Sequence, residues 1–498
     1  MTSRRFEPVT SGGFHYLPAR MQPEYQRWRV LWPLVPAMAM VMIDFTIVSI
    51  SVTTIQRDLH LSATAAQWTV TAYALSTAAF IALGGRLGDI IGHKRIVAIG
   101  IVLFAGASTL CGLTPDNSAA EPWLIVCRVL QGIGGALLIP STTVLVLNSF
   151  PPQERGKGLA IFFIVAGLFT AVGPIAGSYL TQYWTWRAIF WINVPVALIS
   201  LTEFALIKIK DVKHPARIDW GGAVLLVAGM GLTVLGLQES NAWGWDSLAT
   251  IGSILVGLLI LVLFVMYERR TESPLISIKA FIDNRPFAVD NVLTMFLFFT
   301  WLAVFFFGSI YFQVSVGQEP TQAGFSILTM FYSFFIASRI GGGMYDKVGA
   351  KHPVSLGLAA IAVGLWLWAT ELSSLTGGGT LVGMLVTGAG FGLAMSALNT
   401  DALNRAPEEI RGEASGIIQT FRNFGSALGM AILGTIVLGA LGPHTTPSGF
   451  ADALETAFKV GAIVMAVGFV IARAFMPSGK QIEGSQPAES VAPQADVE

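Results

Sequence analysis

Long apolar runs and short polar segments alternate along the whole chain. A run of about 20 residues forms a helix that crosses the roughly 30 Å hydrocarbon core of a bilayer. Because most runs here have that length, the pattern predicts an all-α polytopic membrane protein. Fourteen transmembrane helices are predicted, near residues 31–54, 67–86, 96–113, 122–147, 158–181, 188–207, 221–238, 248–267, 288–312, 323–345, 354–371, 379–400, 413–440 and 455–475.

The positions of the basic residues support this count independently, since cytoplasmic loops of membrane proteins carry an excess of Lys and Arg. If the N-terminus is cytoplasmic, 25 of the 30 basic residues fall in inward loops and tails. Outward loops hold only Arg57 and Arg187, with Lys459 near an outer helix end. Both termini are therefore expected in the cytoplasm.

Composition excludes several classes of protein. Of the 498 residues 53% are hydrophobic and 12% charged, whereas soluble domains carry about 25% charged residues. A net charge of zero argues against a nucleic-acid partner. No GxxxxGK[ST] loop is present, and neither the two cysteines nor the six histidines have the spacing of a metal site. No cofactor is expected, and the protein is not expected to be an enzyme.

An internal repeat divides the chain. The segment "GGRLGDIIGHKRIVAIG" (84–100) matches "GGGMYDKVGAKHPVSLG" (341–357), and "NSFPPQERG" (148–156) matches "NRAPEEIRG" (404–412) at nearly the same offset. Repeated halves of this kind usually enclose a substrate site near the bilayer midplane. The predicted organisation is a cytoplasmic tail (1–30), a six-helix bundle (31–207), a linker with two inserted helices (208–287), a second six-helix bundle (288–475) and a disordered cytoplasmic tail (476–498).

Two opposite charges are predicted at the same depth in the membrane. Asp44 lies roughly 21 Å along the outward-running first helix, and Arg128 lies roughly 9 Å below the outer face on the inward-running fourth helix, at 1.5 Å per residue. A carboxylate at mid-membrane costs roughly 2.5–3.5 kcal/mol on insertion scales. An intramembrane acid is a functional candidate by default, although a purely structural ion pair would have the same signature.

Four patterns carry a resemblance to a known family. They are "DFTIVSISVTTIQRDL" (44–59), "GGRLGDIIGHKR" (84–95), "RVLQGIGG" (128–135) and "GLFTAVGPIAG" (167–177). In this order and on these helices, the chain resembles the major facilitator superfamily and its fourteen-span drug:proton antiporters. The resemblance implies two six-helix bundles with two inserted helices. It also implies export of lipophilic, often cationic compounds by alternating access, driven by a proton gradient across the bacterial inner membrane.

Roles are expected for several residues: the resemblance implies the latch and the fifth-helix motif, and residue positions indicate the others. Asp44 and Arg128 are expected to couple proton and substrate, because desolvation favours a protonated acid while a nearby cation favours the carboxylate. Gly85, Asp89, Gly92 and Lys94, with Asp346 in the repeat, are expected to form a conformational latch. Gly167, Gly173, Pro174 and Gly177 form the antiporter motif of the fifth helix, although generic helix packing would also explain them. Candidate substrate-cavity residues are Gln131, Trp301, Arg422 and Asn423, and Arg422 could instead bond backbone carbonyls.

Lipophilic small molecules, protons and the lipid bilayer are the expected partners, and a periplasmic adaptor is not indicated. Three other functions fit the same motifs. The protein could export a single native metabolite such as a siderophore or an antibiotic. It could be an importer or symporter, which the pattern on the fifth helix disfavours. It could also be a membrane sensor that transports nothing.

Overall fold

The computed structural model describes residues 28–151, 154–207, 218–271, 273–276, 278–406, 411–441 and 446–479, so the predicted tails lie almost wholly outside the described residues. Fourteen long helices carry the described fold, and no strand occurs in these ranges. They are α1 (Leu31–Asp58), α2 (Ala63–Ile91), α3 (His93–Gly112), α4 (Ala120–Ser149), α5 (Arg155–Tyr183), α6 (Ala188–Leu206), α7 (Trp220–Gln238), α8 (Leu248–Glu268), α9 (Arg285–Val314), α10 (Pro320–Val348), α11 (Lys351–Glu371), α12 (Leu381–Arg405), α13 (Arg411–Ala440) and α14 (Pro447–Phe475).

Thirteen of these helices are long and apolar enough to cross a membrane over their described residues. The remaining helix, α5, has 29 residues, which is also long enough to cross the bilayer, but the structure describes only some of its side chains. The all-α polytopic fold class is confirmed. Most helices run past the predicted ends because polar residues continue the helix beyond the apolar run. At the start of α10, Glu319 and Gln322 form a reciprocal capping box.

The two parts of the chain pair their helices in the same way. In the first part α2 packs on α4, α3 on α4 and α1 on α5; in the second part α10 packs on α12, α11 on α12 and α9 on α13. Gly92 ends α2 with φ +111°, and Gly349 ends α10 with φ +80°. Only glycine adopts such backbone angles readily, so the repeated glycine of the sequence marks the same sharp turn twice.

Hydrogen bonds between the two parts are concentrated at one side of the bundle. We call the side where α1 begins the terminal side and the other the opposite side. Near the opposite side, Gln313 Nε2 donates to Ile50 O at 2.9 Å and Gln67 Nε2 to Met430 O at 2.6 Å. Gln182 bonds Glu319 and Thr321 there as well. Among the described residues, every hydrogen bond between the first six and last six helices lies toward this side. The bundle is closed there.

The inserted helices α7 and α8 pack on each other, and α7 also packs on α2 and α13. Beside the opposite-side end of α7, Glu239 accepts a 2.6 Å hydrogen bond from Trp68 Nε1 on α2. Thr435 Oγ1 of α13 donates to Leu237 O at 2.8 Å. The inserted pair therefore contacts both parts of the chain.

Candidate proton and substrate site

Asp44 and Arg128 meet in the interior of the first six helices. Arg128 Nη1 lies 2.6 Å from Asp44 Oδ2, and each side chain is no more than 1% exposed. Gln131 Nε2 donates to Asp44 Oδ1 at 2.8 Å, and Gln131 Oε1 accepts from Arg128 Nη1 at 2.7 Å. The three side chains form one closed network, so both carboxylate oxygens are satisfied without water.

Residues from α2, α3 and α6 hold this network in place. Arg128 Nε donates to Thr69 O at 2.6 Å, and its guanidinium lies 4.5 Å from the centre of the Tyr73 ring. Ser108 Oγ lies 3.3 Å from Gln131 Nε2 and accepts a hydrogen bond from Asn193 at 2.9 Å. A buried ion pair is tolerable only when its remaining polar atoms are bonded in this way. The network therefore depends on three neighbouring helices.

The antiporter-motif proline acts directly beside Asp44. Pro174 has no N–H, so the carbonyl of Thr170 four residues earlier loses its helical partner. Thr46 Oγ1 on α1 donates to that carbonyl at 2.9 Å. The hydroxyl of a residue two positions beyond Asp44 thus satisfies the backbone group that the proline of α5 leaves free.

Two motif glycines bring α1 and α5 together, and a third does not. A Cβ at Gly173 would overlap Thr46 Oγ1, and one at Gly177 would lie 2.7 Å from Ile47 Cγ1. Both positions therefore require glycine for close helix approach. A Cβ at Gly167 would meet no atom within 4 Å. The packing argument holds for Gly173 and Gly177 but gives no reason for Gly167.

A narrow cavity lies between the two parts of the chain, beside the network. Its volume is about 10 Å³, far below the roughly 300–1,000 Å³ of a typical ligand pocket, so it is contracted in this conformation. Three of the four cavity candidates, Trp301, Arg422 and Asn423, line it; Gln131 instead belongs to the buried network. The remaining lining residues are Met42, Phe45, Thr170, Phe298 and Ser426.

Arg422 is the charged side chain of this cavity lining. Its guanidinium lies over the Phe298 ring, 4.4 Å from the centroid, and Nη1 is 3.4 Å from Gln419 Oε1. No carboxylate pairs with it among the described residues. Of the two alternatives for Arg422, the structure has it facing the cavity. The aromatic face takes the place of a counter-ion.

Trp301 occupies the position in the repeat that corresponds to Asp44. Its ring contacts Phe305 and Phe391 at 4.7 and 4.9 Å between centroids, with further rings of Phe331 and Phe334 around it. The second part of the chain therefore has an aromatic cluster where the first part has an ion pair.

The predicted latch residues of the first part make their contacts within that part in this conformation. Asp89 Oδ1 lies 3.2 Å from His93 Nε2, and Lys94 Nζ donates to Ile207 O at 3.2 Å. Asp346 is exposed, and the description includes no ion pair to it. Gly92 makes the turn. The latch role of these residues stays a prediction.

Close helix contact near the predicted latch involves glycines that the sequence reasoning did not single out. A Cβ at Gly85 would make an ordinary contact with Pro140 at 3.5 Å, whereas one at Gly84 would overlap Ala136 O. A Cβ at Gly88 would likewise overlap the His93 ring. Spacing alone does not tell which glycine of a run faces the neighbouring helix.

Several residues of the site were missed from the sequence. Tyr73, Ser108 and Thr46 are small or neutral polar residues inside apolar helices, and such residues are common in membrane bundles. Thr46 could have been identified from its position, because it lies two residues beyond Asp44 on the helix that packs against the proline-containing α5. Among the described residues, no group of three or more His, Cys, Asp or Glu could hold a metal ion.

Comparison with known proteins places the chain in a family. The family model for the Major Facilitator Superfamily matches residues 34–430. The tetracenomycin C resistance and export protein of Streptomyces glaucescens is 32% identical, covering 87% of this chain and 82% of its own. Multidrug resistance protein 3 of Bacillus subtilis is 31% identical, covering 79% of this chain and 76% of its own. The puromycin resistance protein of Streptomyces alboniger is 32% identical over 91% of both.

Solved structures agree on the fold. A D-xylose-proton symporter aligns with a TM-score of 0.64 at 16% identity, covering 90% of this chain and 98% of its own. A bacterial homologue of the human lysosomal transporter spinster aligns with a TM-score of 0.64 at 13% identity, covering 91% of this chain and 98% of its own. With a family model that matches most of the chain and export proteins among its relatives, this multi-pass membrane protein belongs to the Major Facilitator Superfamily of transporters.

Proposed function

We propose that the protein is a proton-coupled exporter of lipophilic, often cationic compounds across the bacterial inner membrane. The observation that carries the proposal is the fully buried Asp44–Arg128–Gln131 network, built on the same helix that lines the cavity. Relatives named as multidrug resistance and antibiotic export proteins support the direction of transport. The proton gradient is the energy source, and no cofactor or nucleic acid takes part.

The proposed cycle has the network exchange a proton for substrate. A proton on Asp44 neutralises the acid and breaks its pairing with Arg128, which Thr69 O and Gln131 still hold. Substrate in the cavity contacts Phe45, whose ring packs 5.0 Å from Tyr73, and the Arg128 guanidinium lies over Tyr73. Movement of Phe45 on substrate binding is thereby passed to the ion pair. Substrate binding favours release of the proton, and substrate release outside favours its uptake.

The proposed orientation puts the terminal side in the cytoplasm. It rests on the excess of Lys and Arg in the loops and tails of that side. The hydrogen bonds across Gln313 and Gln67 then close the periplasmic side, and this conformation is the one that receives substrate from within. The small molecule, the proton and the lipid bilayer are the partners, and a periplasmic adaptor is not needed for this step.

Dye efflux from cells tests the proposal. Asp44→Asn keeps the size of the side chain but removes its charge and its exchangeable acid proton, so efflux should fall to the level of cells without the protein. Asp116→Asn, at an exposed loop acid, is the matched control and should export normally. Collapse of the proton gradient should stop export by wild type. Normal export by Asp44→Asn, or indifference to the gradient, would contradict the coupling. Net uptake would instead favour an importer.

A dedicated exporter of one native aromatic metabolite is the second candidate. It is favoured by Arg422, because a positive charge in a cavity lined by Phe45, Phe298 and Trp301 attracts aromatic compounds that carry an acidic group. One relative is named for tetracenomycin C and another for puromycin. A cationic substrate would have to displace or shield this guanidinium.

A panel of cationic and acidic aromatic compounds separates the two candidates. If the cavity recognises an acid, Arg422→Gln should weaken export of acidic compounds by about 10- to 150-fold, as expected for loss of a charged hydrogen bond worth roughly 1.5–3 kcal/mol. Export of cations should be unchanged or improved. Equal loss for both classes would mean that Arg422 has a structural role, and the dedicated-exporter candidate would lose its support.

A further inference from the structure

Two acids and one base are buried together in the second part of the chain, away from Asp44. Asp290 on α9 is 0% exposed, and Asp401 on α12 is 1% exposed. Arg405 Nε lies 2.7 Å from Asp401 Oδ2 and 3.3 Å from Asp290 Oδ2. The proposed function uses none of these residues, and ordinary helix packing does not require a buried pair of like charges.

The charges of this cluster do not balance. Two carboxylates beside one guanidinium leave a net charge of −1, and an unbalanced buried charge costs several kcal/mol. In the described part of the chain, the charged groups that act on Asp290 are Asp401 and Arg405. The helices packed on α9 carry further basic groups, but none of the described ones reaches the pair. Arg422 of α13 has its guanidinium over Phe298, about two turns further along, and Lys459 of α14 pairs with Glu455. The others are exposed: Arg57, Arg339, Lys347 and Arg473.

Asp290 also lacks hydrogen-bond partners. Both of its carboxyl oxygens are shielded from water, and neither makes a hydrogen bond in the described structure. Arg405 Nε directs its hydrogen to Asp401 instead. A buried ionised carboxylate normally accepts several hydrogen bonds. One proton resolves both difficulties, because it neutralises the excess charge and gives Asp290 an O–H that reaches Asp401.

We propose that Asp290 and Asp401 share one proton beside Arg405, forming a second proton-binding site in the second part of the chain. Two carboxyl groups at such close range cannot both ionise easily, so one retains its proton. The site is held between α9 and α12, where Asn284 Nδ2 also donates to Arg405 O at 2.7 Å. Its existence does not depend on export, but its use in transport rests on the proposed function.

The site has a route to water on the terminal side. The Tyr345 hydroxyl on α10 donates to Asp401 Oδ1 at 3.4 Å and accepts from Asn404 Nδ2 at 3.0 Å. Asn404 is exposed, and the Arg405 side chain is 13% exposed. The proton can therefore exchange with water through one short chain of polar groups, without crossing to Asp44.

Infrared spectroscopy of the full chain in lipid nanodiscs counts the protons on this cluster. The carbonyl stretch of a protonated carboxylic acid is separate from that of a carboxylate. At neutral pH the charge balance predicts one such proton in wild type, none in Asp290→Asn or Asp401→Asn, and two in Arg405→Gln, which leaves both acids without a counter-ion. Asp346→Asn removes an exposed acid and should leave the band unchanged.

A band that is the same in wild type, Asp290→Asn and Asp401→Asn would overturn the proposal, since the cluster would then carry no proton. If one of these variants does not fold, the other two still test the charge balance. Transport by the same variants should lose one step of its pH dependence. The Asp44→Asn variant separates this proposal from the proposed function. If it exported normally, the proposed coupling at Asp44 would be wrong, but the proton count on Asp290 and Asp401 would still stand.

Discussion

At the scale of the residue, the Asp44–Arg128 pair is held by more polar contacts than charge attraction alone would need. Gln131 bonds both charged side chains, and Thr69 O fixes the Arg128 Nε atom. Every hydrogen bond of the network is thus made within the protein. A proton added to Asp44 changes one member of a network whose other members stay bound, which is what a reversible proton site requires.

Removing Arg128 should destabilise the protein more than removing the pair together. Arg128→Met leaves a buried uncompensated carboxylate, at a cost of about 3–5 kcal/mol. The double variant Asp44→Asn/Arg128→Met has no buried charge and should recover most of that loss, although it should not transport. Thermal unfolding in nanodiscs measures both. If the double variant is no more stable than Arg128→Met, the two residues are not energetically coupled.

The sequence predicted the contact of Asp44 and Arg128 because helical rise gives the depth of each residue. It could not predict which of several glycines or polar residues faces a neighbour, because facing depends on the rotation of each helix in the bundle. Gly85 was therefore singled out where Gly84 and Gly88 make the close contacts. Asp290, only five residues into α9, was missed because it lies near a predicted helix end, where acids are common.

At the scale of the element, α1 and α5 act as a matched pair. Gly173 and Gly177 allow their close approach, and Thr46 satisfies the carbonyl that Pro174 leaves free. The existence and order of the helices could be predicted from the apolar runs. Their ends were less predictable, because polar residues extend the helices past the apolar segment, as at α10.

Glycine-to-alanine variants of α5 test this packing. Gly173→Ala should force α1 and α5 apart and cost about 1–3 kcal/mol, as overpacking usually does. Gly167→Ala, on the same helix, meets open space and should be neutral or stabilising by up to about 1 kcal/mol. Thermal unfolding and dye efflux are the readouts. Equal effects of the two substitutions would show that close approach at Gly173 is unimportant.

At the scale of the whole molecule, the closed opposite side corresponds to one conformation of the proposed alternating-access cycle. The contacts that close it join Ile50 and Gln67 of the first part to Gln313 and Met430 of the second. In the proposed cycle these contacts must break, because substrate leaves on that side.

Paired cysteines test whether the opposite side opens. Thr53 Oγ1 and Gln313 Oε1 are 2.5 Å apart across the two parts, so a short reducible bifunctional thiol reagent should join a Thr53→Cys/Gln313→Cys pair and stop transport, and a reductant should restore it. Ser51 and Thr181, 2.7 Å apart within the first part, give the matched control. Their cross-link should leave transport intact if the halves move as units. Unimpaired transport by the cross-linked Thr53/Gln313 variant would contradict opening at this side.

The most direct test of the central claim is proton movement driven by substrate. Purified protein is reconstituted into liposomes that contain a pH-sensitive dye, and a substrate gradient is imposed without a pH gradient. Wild type should move protons against the direction of substrate flow, and Asp44→Asn should move none. Substrate flow through wild type without proton movement, or equal proton movement with Asp44→Asn, would contradict the role given to Asp44.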